Sequence, residues 1–162
     1  MSETSNDAAK SSAFRLLNYR PRSVSEIKRR LLEKYDQESV QITLSWLLEN
    51  GLLNDEKFAT WWTESRVRQK FLSSSMIRRE LLEKGVSSNT INKALISVDD
   101  NLNARQLAEK MARNASTQDF THFKRKLYSK LMRKGFSSGV ALASIERAGD
   151  SLIESKEISL EQ

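Results

Sequence analysis

IRRELLEKGVSS, residues 77–88, returns with changed letters as LYSKLMRKGFSS at residues 127–138. Both stretches place apolar side chains at the first, fifth and sixth positions, and both close on lysine, glycine, an apolar residue and two serines. Leu81 and Leu82, or Leu131 and Met132, stand about one turn from Ile77 or Leu127, so the spacing predicts an amphipathic helix with these residues on one face. Lys84 and Lys134 fall in the last turn, where a cation meets the negative end of the helix dipole. Gly85 and Gly135 can take the left-handed conformation that stops a helix, and Val86 and Phe136 supply the apolar contact that accompanies such a stop. The serines that follow are suited to cap the next helix. A third copy, IKRRLLEKY at 27–35, has Tyr35 where the others have glycine.

Working outward, Ser23 and Glu26 form a capping box at the start of the first copy, and Pro21 discourages an upstream helix from running through. Each copy is followed by a second amphipathic segment: Val40 to Asn50, Thr90 to Val98 and Val140 to Ala148. Further helices are expected from Asp55, a candidate cap, to Lys70 and from Asn101 to Arg113, with a leading helix at Ala13–Tyr19 that turns Phe14 and Leu17 inward. Trp61 and Trp62 are adjacent and point about 100° apart on a helix, so at most one of them faces deeply inward. Single units of this size bury little alone, which predicts an all-α, elongated, curved tandem array of three-helix repeats. The expected divisions are a disordered segment over 1–12, a first repeat with its leading helix over 13–70, a second over 71–116, and a third over 117–162 that ends in an acidic, partly frayed tail.

The composition narrows the function classes. One proline and five glycines among 162 residues leave little for the tight turns of an all-β chain. Without cysteine there is no disulfide framework and no thiolate metal site, which fits a reducing, cytoplasmic setting. No stretch approaches a membrane span, and the first residues resemble neither a signal nor a transit peptide. His122 is the only histidine, and it reads as a surface or capping residue. With no glycine-rich phosphate loop and no metal-ligand spacing, the chain is expected to act by binding, without enzymatic activity, cofactor or metal. The acid pairs Asp55-Glu56 and Asp99-Asp100 stand at helix starts, where carboxylates serve as caps.

The net charge of +6 is unevenly placed. Between Phe120 and Gly135 lie Lys124, Arg125, Lys126, Lys130, Arg133 and Lys134 with no acidic residue. Corresponding helices carry Lys28, Arg29 and Arg30 in the first copy and Arg78 and Arg79 in the second. A run of charge is as often a plain solvated face, but its recurrence in three units suits a long, regular, negatively charged target whose counterions are released on binding. An alternative is direct DNA binding by a helix-turn-helix, with Ser87, Ser88, Asn89 and Asn92 at the start of a recognition helix.

YRPRSVSE at 19–26, ENGLLNDE at 49–56 with Phe58 after it, and the Leu-Glu-Lys-Gly of residues 82–85 resemble the RecX family of bacterial recombination regulators, over roughly Phe14 to Ala148. The resemblance implies tandem three-helix repeats and binding along the groove of the RecA filament on single-stranded DNA; the chain itself is expected to be a monomer. It further implies that such binding limits filament extension and dampens recombinase and co-protease activity. The eleven basic residues named above are then the expected contacts with RecA or with single- or double-stranded DNA.

Overall fold

The computed structural model describes residues 2–113 and 120–160, and the described residues form nine α-helices. They are α1 (Ser2–Tyr19), α2 (Val24–Leu32), α3 (Gln37–Glu49), α4 (Asp55–Lys70), α5 (Ser74–Glu83), α6 (Ser88–Leu95), α7 (Asp100–Arg113), α8 (Phe120–Arg133) and α9 (Ser138–Leu160). The chain divides into two compact units, one of residues 1–64 and 78–96 and one of residues 65–77 and 97–162.

Helix boundaries follow the local chemistry. Ser23 caps α2 by accepting from the Glu26 amide while the Glu26 carboxylate accepts from the Ser23 amide, completing the expected box. Ser87 and Ser137 cap α6 and α9 through the amides of Thr90 and Val140. Gly85 and Gly135, at φ of 74° and 87°, end α5 and α8, and the amides of Val86 and Phe136 reach back to the carbonyls of Leu81 and Leu131.

In the first unit α1, α2 and α3 close around Ala13, Ile27, Leu31, Val40 and Leu47. In the second, α7, α8 and α9 close around Ala104, Leu107, Phe123, Leu127, Leu131 and Ile145. Only one leucine of each doublet faces a core. Leu31, Leu81 and Leu131 are at most 1% exposed, whereas Leu32, Leu82 and Met132 are 43%, 49% and 40% exposed. Adjacent helical residues diverge by about 100°, and a narrow helix-on-helix seam has room for one of them. The shared apolar face expected for Leu81 with Leu82, and for Leu131 with Met132, is therefore not formed.

Two terminal segments also differ from expectation. Residues 2–12, expected to be disordered, are the first turns of α1. Ala9 is fully buried, Ser5 bonds to Ser39 at 3.1 Å, and the Ser12 and Tyr35 hydroxyls meet at 2.7 Å, so tertiary contacts hold a segment too polar to announce itself by periodicity. At the other end α9 runs on to Leu160 through the stretch expected to fray, in which no glycine or proline follows Gly149 before Glu161, outside the described residues.

The packing also groups the helices one step differently from the expected divisions. Each trio begins one helix earlier than expected: α1 packs with α2 and α3, and α7 with α8 and α9. Within the first unit, α4 joins α5 and α6 through the Trp62 indole on Glu80 at 2.8 Å and Lys93 on Glu56 at 2.9 Å. Trp62 is buried and Trp61 is 37% exposed, as the angle between neighbours requires. Phe14, expected inward, is 37% exposed and lies edge-on to Trp46, while Ala9 and Ala13 occupy the interior side of α1.

Candidate functional site: two helix junctions and the basic faces

The same junction is built once in each unit. In the first unit the start of α2 meets the end of α5: the Ser23 hydroxyl donates to the carbonyl of Lys84 at 2.6 Å. In the second, the start of α5 meets the end of α8: the Ser73 amide donates to the carbonyl of Lys134 at 3.1 Å, and the Ser75 hydroxyl to that of Gly135 at 2.9 Å. A helix end with unpaired carbonyls thus abuts a helix start with unpaired donors, and the opposed partial charges of the two dipoles attract. Glycine is required here for closeness as well as for its φ. A Cβ on Gly85 would stand 2.2 Å from Ser25 Oγ, and one on Gly135 would stand 2.5 Å from Ser73 Oγ. Tyr35, the counterpart of these glycines, lies on α1 instead, with its hydroxyl on Ser12 and on the Ala8 carbonyl.

A carboxylate from the following leading helix completes each junction. Asp55 accepts from the Val24 amide at 2.9 Å, and Asp100 accepts from the Ser74 amide at 2.7 Å and the Ser74 hydroxyl at 2.9 Å. Asp55 was expected to cap its own helix; Asn54 does so, accepting from the Lys57 amide at 2.9 Å. Likewise Asp99 caps α7 through Leu102, which leaves Asp100 to reach across. Burial raises the Asp55 pKa, offset in part by the Val24 amide, and the nearby Glu26 charge raises it further.

The charges at the two junctions differ. At the first, the Glu26 carboxylate receives Arg20 at 2.7 Å and Lys84 at 3.1 Å, and Lys84 Nζ also lies 4.1 Å from the centre of the Trp62 ring. Burial would raise the Glu26 pKa, but hydrogen bonds from Arg20, the Ser23 amide and Lys84 overcome it and hold the group at about 2. At the second, the residue in the place of Glu26 is Met76, three residues after Ser73 as Glu26 is after Ser23. Lys134 Nζ there donates to the carbonyl of Lys70 at the end of α4. Burial lowers the Lys134 pKa, and the charges of Lys130, Lys70 and Lys110 lower it further.

The eleven basic residues picked out in the sequence are not equivalent. Lys28, Arg29, Arg125 and Lys126 are exposed and pair with no carboxylate among the described residues, as is also true of the half-buried Arg78 and Lys130. Arg30 is held by Glu33 at 3.3 Å and Arg79 by Glu83 at 3.2 Å, both exposed pairs that cost little to open. Lys124 sits over the Phe120 ring and Arg133 donates to the Ser129 carbonyl. Arg30 and Lys34 also line an open cleft with Arg15 and Arg22 between α1 and α2. Lys70, Lys110 and Arg20 were not singled out in the sequence, since only the fold brings each of them to a junction. His122 is exposed, as expected. Ser87, offered as a base-reading residue, is occupied in capping α6. Among the described residues no three His, Cys, Asp or Glu side chains come together as metal ligands, and no helix is long and apolar enough to cross a membrane.

Trios of helices whose ends are closed by residues of another trio define a tandem three-helix-module protein. Comparison with known proteins agrees: residues 9–47, 54–95 and 99–143 match the first, second and third three-helix domains of RecX. The chain is 32% identical to the regulatory protein RecX of Corynebacterium efficiens over 151 residues, covering 88% of this chain and 72% of that protein. It is equally identical to the regulatory protein RecX of Streptomyces coelicolor, over 88% of this chain and 78% of that one. Against that of Lactococcus lactis subsp. cremoris the chain spans 56% of the relative's length. The crystal structure of RecX from Lactobacillus salivarius superposes with a TM-score of 0.74 at 21% identity, covering 91% of this chain and 98% of that one, a likeness of fold. The chain belongs to the RecX family of regulatory proteins.

Proposed function

We propose that this chain regulates a RecA recombinase by lying along its nucleoprotein filament on single-stranded DNA, where it limits filament extension and lowers recombinase and co-protease activity. It acts from the cytoplasm as a monomer, by binding and without a chemical step. Membership in a family of regulatory proteins supports a regulatory role. The observation that carries the choice of target is the set of cations that have no carboxylate partner among the described residues, on corresponding helices: Lys28 and Arg29 on α2, Arg78 on α5, and Arg125, Lys126 and Lys130 on α8. Arg30, Arg79, Lys124 and Arg133 lie on the same helices, and Lys134 directly follows α8; all add to them. A repeating, negatively charged polymer lets several such weak contacts act together through connected modules.

The test is RecA's DNA-dependent ATPase, titrated with this protein on preformed filaments. Turnover should fall as the protein approaches stoichiometry with RecA and recover as salt is raised. Unchanged turnover at stoichiometric excess would remove the proposal.

A further inference from the structure

The second junction gathers lysines from three helix ends. Lys134, after α8, donates to the carbonyl of Lys70, the last residue of α4. Phe71, next to Lys70, turns the chain at φ of 50° and presents its ring to Lys110 of α7, whose Nζ is 5.4 Å from the ring centre. Lys130 stands one turn before Lys134 on α8, and Lys126 one turn before that. The charges of Lys130, Lys70 and Lys110 bear on Lys134, whereas the corresponding lysine of the first junction, Lys84, meets Glu26. Met76 stands here in the register position of Glu26, and Asp100, the acid nearest in sequence register, is taken up by Ser74.

We infer that Lys70, Lys110, Lys130 and Lys134 form a binding site for successive phosphates of a single-stranded polynucleotide, with Lys126 extending it along α8. Converging like charges raise one another's cost and are relieved together by an anion that enters among them. Burial lowers the basicity of Lys134, and the charges of Lys130, Lys70 and Lys110 lower it further, so their convergence carries such a cost. Ammonium groups meet phosphate as point charges, whereas guanidinium forks favour paired carboxylate contacts. A phosphodiester chain brings several anions on one flexible ligand, so a cluster and the stripe leading from it can be engaged at once. This assignment deepens the filament-binding reading and rests on it only for the identity of the larger target; the contact itself is with the nucleic acid.

The experiment measures binding of a fluorescent oligothymidylate to the full chain by anisotropy across a salt series, without RecA. Lys70→Gln with Lys130→Gln should weaken binding on the order of tenfold and reduce the slope of log affinity against log salt by about 1.4, at about 0.7 per phosphate contact on a single strand. Adding Lys110→Gln should bring the reduction to about 2 on the same scale. Lys70 and Lys110 are exposed and Lys130 half-buried, and thermal unfolding of each variant checks that the fold is kept. An unchanged slope and affinity in the folded variants overturns the site. So does a loss confined to RecA-filament binding with oligothymidylate binding intact, which would make the cluster a contact for acidic protein. RecA ATPase is read in parallel: oligothymidylate binding that depends on these lysines, together with unaffected RecA turnover, upholds the site and sinks the regulatory proposal alone.

Discussion

The two junctions share serines, glycine, aspartate and an end-to-end meeting of helices, yet among the described residues Lys84 pairs with a carboxylate and Lys134 does not. Around Lys84 the chain supplies Glu26, itself 6% exposed and clasped by Arg20, so the charge serves cohesion. Around Lys134 the same place holds Met76 and the neighbours are further lysines. A repeated frame can therefore give one copy of a side chain to the fold and leave the other for a ligand, by a single change three residues after the capping serine.

The comparison can be broken at Glu26. Glu26→Ala should cost about 3–5 kcal/mol, because it strands Arg20 and Lys84 beside buried surface, whereas Met76→Ala should cost about 1 kcal/mol. Urea unfolding of both variants measures this, and equal losses would mean that the junctions do not differ in kind. Gly85→Ala should cost about 2–4 kcal/mol, from a clash with Ser25 added to an unfavourable φ. Gly51, at φ of 67° with open space around its Cβ position, should lose only about 1 kcal/mol on the same change.

Acid titration sharpens the contrast further. Glu26 has its folded pKa lowered to about 2, so its contribution is complete above the ordinary carboxylate pKa of about 4.5 and is lost as pH falls from there toward 2. The loss should be on the order of 2 kcal/mol, and should vanish in Glu26→Gln. Asp55, with its pKa raised by burial, works the other way: its protonation favours the folded state and offsets part of this loss. The smallest effect is expected from Met76→Glu, which gives Lys134 a carboxylate partner, for a gain of about 1 kcal/mol in stability. The same change should depress oligothymidylate binding. A variant that gains stability and binds unchanged would separate the two roles assigned to Lys134.

Much of the frame was legible in the letters. Ser23 with Glu26, Gly85 and Gly135 followed by Val86 and Phe136, and the serines at 87 and 137 act as short-range chemistry dictates. What periodicity left open was which leucine of each doublet turns inward, since a stripe wide enough for both fits the letters equally well. It also could not show that Asp55 and Asp100 serve a different helix from their own, although each follows a better cap, Asn54 or Asp99. The polar start of α1 carried no signal beyond Ala8 and Ala9. The lysine site was half visible: the run on α8 stood out, but Lys70 and Lys110 join it only through tertiary contact.

The hydrogen bond from Ser23 to the Lys84 carbonyl spans 61 positions of sequence. During synthesis at roughly 5–20 residues per second, α2 therefore emerges some 3–12 seconds before its partner exists. Over that interval Glu26 has Arg20 beside it but not Lys84, and its helix start faces water. The first module finishes maturing when a later one arrives, so a ribosome paused between them holds a nascent chain whose opening helices are formed but unlocked.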